Sequence, residues 1–183
     1  EHFAEYVPWF IKPGRNDLIE KYKIPIDEYI DRCRYYEGFW NNIDKNIDLI
    51  TEQKIKRSNE YASYIMDGIV NNNSVTIYGN VINNGLIENL PSNCCVEVPC
   101  KIDSSGFVPQ KIGKLPEHLA ALMRTNINVQ ILTAEAALTK KREHIYHAAL
   151  LDPLTSSNLS IDEIYNMVDE LIEAHGNYLP NYI

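Results

Sequence analysis

The residues best suited to binding a ligand lie in one stretch, from Val81 to Cys100. Asn83, Asn84 and Asn89 crowd around Gly85, a residue that adopts positive φ readily and so lets the backbone approach a ligand closely. Amide side chains carry both a donor and an acceptor, which suits hydroxyl-rich ligands such as sugars. The stretch therefore predicts a sugar-binding loop, with an ordinary Asx-turn between two strands as the alternative.

A second group of chemically capable side chains opens the chain. Among residues 1–10, His2 offers a base, Glu5 an acid and Trp9 a ring for stacking, while Pro8 prevents a long helix. The alternative is an amphipathic terminus without chemistry. The chain also begins without methionine or a helix start, and we expect it to be part of something longer.

One arginine lies among amides in the middle of a predicted helix. Arg124 is followed by Asn126, Asn128 and Gln130. Polar residues in such a position usually form a solvated face, but an arginine there could also reach into a carbohydrate pocket.

The cysteines and histidines do not have the spacing of a metal site. The chain has four cysteines, which are Cys33, Cys94, Cys95 and Cys100. Two adjacent cysteines in a strand point to opposite faces, and no Cys-x-x-Cys pair is present. His144 and His147 have Glu143 beside them, but the sequence places no third ligand. We therefore expect small buried cysteines in a reducing compartment and no metal held by these residues.

Composition excludes two classes of partner. With 25 acidic and 17 basic residues, the formal charge of -8 would repel a phosphate backbone, so nucleic acid is not expected. No apolar run approaches the roughly 20 residues of a membrane helix. We expect a cytoplasmic protein.

Helical periodicity predicts four main helices. The first begins near Pro25 and carries a heptad-like seam of Tyr29, Cys33, Tyr36, Trp40, Ile43, Ile47 and Ile50. The second spans residues 58–70, and the third begins at Pro116. The third has an apolar face of Leu119, Leu122, Met123, Ile127, Ile131 and Leu138. The last follows a capping box of Ser160 and Glu163 and ends at Gly176.

Between these helices, three short segments predict a small sheet. Alternation predicts a strand over residues 74–78, followed by a turn at Gly79-Asn80. A buried strand over residues 95–98 leads into a loop over 101–106, and an edge strand that tolerates proline begins at Phe107. The fold class is therefore α+β, with helices packed on a small, mostly antiparallel sheet in one domain spanning residues 1–183.

Several stretches together resemble glycoside hydrolase family 4, in particular its α-galactosidase branch. The matching pieces are Glu1-His2-x-x-Glu5-Tyr6-x-Pro8-Trp9-Phe10, Asn83-x-Gly85-x-Ile87-x-Asn89-Leu90-Pro91, Val96-Glu97-Val98-Pro99-Cys100, Arg124-Thr125-Asn126-Ile127-Asn128-Val129-Gln130 and Leu151-Asp152-Pro153-Leu154. The resemblance implies a substrate-binding and oligomerisation domain like the C-terminal domain of lactate and malate dehydrogenases, without the N-terminal Rossmann domain. Where the family pattern has a single cysteine, this chain has Cys94-Cys95.

The resemblance also implies an unusual mechanism that depends on NAD and manganese. In this family NAD removes hydride from C3 of the sugar, a base removes the C2 proton, the glycosidic oxygen leaves, and water and hydride then add back. Tyr6 is the first candidate for the base and His2 the second. Substrate-binding roles fall on Glu1, Asn83, Asn84, Gly85 and Arg124. The manganese ligands of the family lie upstream of position 1, so the resemblance assigns no metal ligand here.

The expected substrate is an α-galactoside, and the expected assembly of the whole protein is a homo-oligomer. The 183-residue chain alone is expected neither to bind NAD nor to hydrolyse galactosides. The alternatives are an α-glucuronidase, a 6-phosphoglycosidase or a hydroxyacid dehydrogenase of the same architecture, or an interaction module without chemistry. A phosphosugar site should show several basic groups, and Arg124 is the one candidate in sequence.

Overall fold

The computed structural model describes residues 2–52 and 58–183, without the side chains of residues 2 and 48–52. A 3-10 turn over His2–Glu5 precedes the first helices. The helices are α1 Asn16–Tyr22, α2 Glu28–Asn41, α3 Ile43–Glu52, α4 Ala62–Asn71, α5 Glu117–Thr139, α6 Arg142–Leu151, α7 Pro153–Asn158 and α8 Ile161–His175. The strands are β1 Val75–Ile82, β2 Cys95–Asp103 and β3 Gly106–Pro109.

The three strands form an antiparallel sheet in the order β1-β2-β3. Alternate residues of β2 are buried, as the period of two requires when one face of a sheet covers a core. Helix α4 packs on β1 and β2, and Ala120 and Ile127 of α5 belong to the same core. Cys94 is buried and Cys95 exposed, so these neighbours do face opposite ways. The predicted fold class of helices on a small antiparallel sheet is confirmed.

Strand β1 is longer than predicted, because Gly79-Asn80 is not a turn. Gly79 pairs with Val98 and Asn80 with Glu97, so the ladder runs through both residues. A Cβ at Gly79 would lie 3.2 Å from the Sγ of Cys100, a closer approach than nearly all real Cβ contacts. Glycine is therefore present here to let a neighbouring side chain pack closely, not to turn the chain.

Strand β2 also extends through half of the predicted 101–106 loop, which shrinks to a two-residue turn at Ser104 and Ser105. The carboxylate of Asp103 accepts hydrogen bonds from the backbone N–H and hydroxyl of Ser105, and Lys101 lies 3.1 Å away. These contacts hold the pKa of Asp103 down at about 2. The turn is also joined to the end of α4, where Asn72 accepts hydrogen bonds from Ser104.

The predicted long helix with a heptad-like seam is interrupted at Asn42 and forms α2 and α3. Side-chain amides compete with the helix here: Asn42 donates to the carbonyl of Gly38 and Asn46 to that of Phe39. Tyr29, Tyr36 and Trp40 of the seam are exposed, and no side chain of α2 is buried. No seam residue whose side chain the structure describes is buried, so the seam does not join the core. Ile50 of the seam lies outside the described side chains.

Several boundaries differ from the predicted ones. Helix α4 begins at Ala62 instead of position 58, α2 begins at Glu28 instead of Pro25, and α1 was not predicted. Pro116 is the cap before α5, so this helix begins one residue later than predicted, at Glu117. Of the predicted apolar face of α5, Ile127 is buried, whereas Leu119, Met123 and Leu138 are exposed.

Helix α8 follows the predicted signals closely, whereas α6 and α7 were not among the predicted helices. The capping box of Ser160 and Glu163 is formed at the start of α8, and Gly176 ends that helix with positive φ. Helices α6 and α8 are joined where Arg142 and Tyr146 both donate to the carboxylate of Asp169. Within the described residues, no helix is long and apolar enough to cross a membrane.

The Asp103 carboxylate gives the fold a specific acid sensitivity. Because its pKa is lowered from 3.8 to about 2, its contacts stabilise the folded state above the unfolded pKa and are lost as pH falls through 2. We expect Asp103→Asn to lower the urea midpoint at pH 7. That difference from the wild type should shrink between about pH 4 and about pH 2.

Far-UV circular dichroism during urea titrations at several pH values measures this effect. Glu173→Gln, on the exposed side of α8, is the matched control and should show no such pH-dependent difference. A midpoint difference for Asp103→Asn that stays constant from pH 7 to pH 2 would contradict the assignment.

Candidate functional site

The predicted sugar-binding loop, named the amide loop here, comprises residues 83–94 and connects β1 to β2. Asn84 and Gly85, near its start, adopt left-handed backbone conformations, with φ of 41° and 83°. The base of the loop is closed by two backbone hydrogen bonds, from Asn83 N–H to the Cys94 carbonyl and from Asn84 N–H to the Ser92 carbonyl. Nothing would contact a Cβ at Gly85, so its backbone conformation, not lack of space, requires glycine.

The side chain of Asn83 lies inside this loop and is fully buried. Its Nδ2 lies 2.9 Å from the Ile87 carbonyl, 3.2 Å from that of Leu90 and 3.0 Å from that of Pro91. Its Oδ1 accepts a 2.7 Å hydrogen bond from the Ile87 N–H. A buried loop needs partners for its peptide groups, and one amide supplies both a donor and an acceptor for them.

This geometry gives Asn83 a role inside the loop, and its predicted sugar contact stays a prediction. Its polar atoms already bond to the loop itself, so a ligand would have to displace one of those bonds and reach a fully buried group. Asn83 shapes the loop, whereas Asn84 and Gly85 beside it are exposed.

A second amide joins the loop to the start of α5. Asn89 donates from Nδ2 to the carbonyl of Leu115 at 2.8 Å and accepts from the Leu115 N–H at 3.0 Å, as a strand backbone would. The guanidinium of Arg124 in turn donates to the Asn89 carbonyl through Nε at 3.3 Å and Nη2 at 2.8 Å. The structure thus brings Arg124 to the loop, and it first serves to hold the loop backbone.

Charges beside the loop are largely paired. Lys111 lies 2.9 Å from Glu88 and lowers its pKa, and Lys114 lies 2.7 Å from Glu117 and lowers the pKa of that carboxyl. Both ion pairs are exposed, so each is worth little in stability. Their effect is to neutralise Lys111 and Lys114.

The N-terminal segment has an inner and an outer side. Ala4 and Val7 are buried, Val7 completely, whereas Tyr6 is 50% and Trp9 56% exposed. Two small apolar side chains three residues apart therefore hold the segment down and leave the Tyr6 phenol facing solvent. Glu1 lies outside the described residues, as does the side chain of His2, so the structure leaves their predicted roles untested.

A cleft of about 390 Å³ opens beside this segment. Glu5 lines it together with Asp27, Glu28 and Arg32 from the start of α2. Arg32 lies 3.3 Å from Glu28. The volume is within the range of small-molecule sites, and three carboxylates against one guanidinium would disfavour an anionic ligand.

Helix α5 carries both segments. Asn126 donates from Nδ2 to the backbone carbonyl of Tyr6 at 3.1 Å, two residues beyond Arg124, which bonds the amide loop. Residues two apart on a helix lie about 3 Å apart along the axis and about 200° apart around it. The two segments therefore contact α5 from different sides. Among the described hydrogen bonds, none joins Tyr6 to Asn83, Asn84 or Gly85.

The described residues offer no metal site. No three His, Cys, Asp or Glu side chains converge within residues 2–52 and 58–183. The rings of His144 and His147 lie 6.3 Å apart on α6 without a third ligand. Burial raises the pKa of the Cys94 thiol, which disfavours the thiolate that a metal would bind.

Comparisons with known proteins agree on one family. The model of the family 4 glycosyl hydrolase C-terminal domain matches residues 1–155. The chain is 47% identical over 182 residues to an alpha-galactosidase of Bacillus subtilis (strain 168), which covers 100% of the chain and 42% of that relative. It is 32% identical over 192 residues to an alpha-galactosidase of Rhizobium meliloti (strain 1021), covering 99% of the chain and 39% of that relative.

A solved structure shares the fold. A 6-phospho-alpha-glucosidase from gut microorganisms, in complex with NAD and Mn²⁺, superposes with a TM-score of 0.69 at 18% identity. The superposition covers 86% of this chain and 36% of that one. The chain thus spans about two fifths of the length of the curated relatives it matches.

The buried amide of Asn83 should be the most sensitive polar group of the loop. Asn83→Ala leaves the Ile87 N–H and three carbonyls without this partner, so we expect the free energy of unfolding to fall by about 3 kcal/mol. Chemical denaturation of the chain measures the loss. Asn84→Gly, at the exposed neighbouring position, is the control and should change the free energy of unfolding by less than about 0.5 kcal/mol. Equal effects of the two substitutions would refute the role of Asn83.

Proposed function

The chain belongs to family 4 of the glycosyl hydrolases, in which it matches the C-terminal domain, and from this premise we propose that it is the sugar-binding part of an α-galactosidase that depends on NAD and Mn²⁺. Residues 1–183 form its substrate domain. A preceding NAD-binding domain supplies the cofactor.

The observation that carries the proposal is the N-terminal segment beside its cleft. Tyr6 is half exposed and follows Glu5, which lines a cleft large enough for a sugar, in a segment that resembles the part of the family that supplies the base. We propose that Tyr6 accepts the C2 proton of the sugar. A tyrosine acts as a base only as phenolate, a form that a nearby cation favours. His2, four residues earlier, is the second candidate.

The described residues do not fit a manganese ion or a dinucleotide. No three potential ligand side chains converge in the described part, and the sequence lacks a Gly-x-Gly-x-x-Gly loop. The tasks left to this chain are to orient the sugar hydroxyls, to exclude water and to hold a proton at the Tyr6 oxygen.

Charge favours a neutral sugar over a phosphosugar. The cleft lined by Glu5 also contains Asp27 and Glu28 against Arg32, and the lysines near the loop are paired with carboxylates. A sugar phosphate would lose hydration and meet negative charge in this cleft. This agrees with the identity to two alpha-galactosidases, and a 6-phosphoglycosidase is the less favoured assignment.

We assign secondary sugar contacts to Asn84, Gly85 and Arg124, on the other side of α5. Arg124 uses Nε and Nη2 for the Asn89 carbonyl, and its guanidinium has further donors in Nη1. These contacts require that the substrate, or a second sugar ring of it, extends past the start of α5.

We propose that the whole protein is a cytoplasmic homo-oligomer. Helix α2 has no buried side chain and exposes Tyr29, Tyr35, Tyr36 and Trp40. Aromatic side chains are enriched in interfaces, so this face is suited to contact with the preceding domain or with a second subunit.

The first test concerns the cofactors. We expect the longer protein to hydrolyse a chromogenic α-galactoside only with NAD and Mn²⁺ present, and the 183-residue chain alone to show no turnover. Activity is measured after dialysis against chelator and again after each addition. Full activity without nicotinamide, or turnover by the 183-residue chain, would refute the proposal.

The second test concerns the base. Tyr6→Phe keeps the ring but removes the oxygen, so we expect kcat in the longer protein to fall by about 100-fold or more with a smaller change in KM. Tyr22→Phe makes the same change at the end of α1, so it is the matched control and should leave kcat unchanged. Loss of less than about threefold for Tyr6→Phe would remove it as the base.

A further inference from the structure

Among the contacts described, a side-chain hydrogen bond joins the N-terminal segment to α5. Asn126 lies 3.1 Å from the carbonyl of Tyr6, across 120 residues of sequence. It sits in the middle of a 23-residue helix, and the neighbouring Ile127 belongs to the core. The donor is therefore on a rigid support, whereas the acceptor lies in an irregular segment that follows a single 3-10 turn.

The Asn126 amide is itself oriented by its neighbour. Its Nδ2 lies 3.3 Å from the Oγ1 of Thr125, and that hydroxyl donates to the Leu122 carbonyl at 2.7 Å. An amide nitrogen has two hydrogens, and these two acceptors use both of them. The side chain is consequently held in one orientation, with one hydrogen directed at Tyr6.

The contact complements the apolar packing of the segment. Burial of Ala4 and Val7 fixes how far the segment lies from the protein interior, but apolar packing is not directional. A hydrogen bond is directional, so the bond to the Tyr6 carbonyl fixes the position of Tyr6 along the segment and the rotation of the segment about its own axis. Together they determine where the Tyr6 phenol points.

We propose that Asn126 is a positioning residue for the reaction: it holds the Tyr6 backbone so that the phenol stands at the C2 proton of the sugar. This inference rests on the proposed function, since Asn126 acts through Tyr6 and does not touch the substrate. Displacement of a base by about 1 Å costs up to about 100-fold in rate, so a single backbone contact is enough to matter.

The test uses Asn126→Asp, which keeps the shape of the side chain but replaces the donor by a carboxylate facing a carbonyl. In the longer protein we expect kcat to fall by about 30- to 100-fold while KM changes by less than about threefold. Asn126→Gln retains the donor and should recover at least about a third of the wild-type kcat. Asn128→Asp, exposed on the same helix, makes the same charge change and should leave kcat within about twofold.

A second readout does not depend on activity. Hydrogen exchange of residues 3–8, measured on the 183-residue chain, should accelerate in Asn126→Asp and stay unchanged in Asn128→Asp. If Asn126→Asp does not fold, Asn126→Ala replaces it in both measurements. If Asn126→Asp shows the same hydrogen exchange and the same kcat as Asn128→Asp, the inference is overturned. Accelerated exchange in a longer protein that hydrolyses no galactoside would instead support the positioning contact and refute the proposed function.

Discussion

Helix α5 is the support on which the rest of the structure depends. Ala120 and Ile127 pack it into the core beneath the sheet, so its position is fixed by apolar burial. Two polar residues of its third turn then reach outward in different directions, Arg124 to the amide loop and Asn126 to the N-terminal segment. Neither segment is regular structure, and each takes its place from this helix. Distances between them are therefore set by a rigid rod and not by loop conformation.

The amide loop shows how irregular backbone can be made rigid. Its peptide groups cannot pair as a strand does, and burying them unpaired would cost about 1–3 kcal/mol each. Asn83 answers this need from inside the loop, and Asn89 does so at the edge toward α5. Asparagine, the residue type that suits a sugar, here stabilises the loop itself, while Asn84 and Gly85 stay exposed.

Sequence patterns predicted those elements that local chemistry decides. The capping box of Ser160 and Glu163 and the positive φ of Gly85 follow from residue type and spacing, and both are present. Features set by distant contacts were not predictable. Gly79 resembles a turn residue until Cys100 is seen packing against it, and the heptad-like seam is broken by Asn42, whose amide bonds the helix backbone.

The same distinction holds for the site. The types of Asn83, Asn84 and Arg124 predict polar recognition, but not that Asn83 is buried or that Arg124 bonds the loop backbone. Asn126 was seen in sequence only as one polar residue of a helix. Its role requires a contact across 120 residues, which spacing cannot reveal.

The proposed reaction requires that Tyr6, held by α5, faces the reacting carbon of a neutral sugar. A crystal structure of the longer protein with galactose bound tests this most directly. We expect the sugar to lie in the cleft lined by Glu5, with C2 within about 3.5 Å of the Tyr6 hydroxyl oxygen. Galactose bound elsewhere, with that oxygen more than about 8 Å from C2, would contradict it.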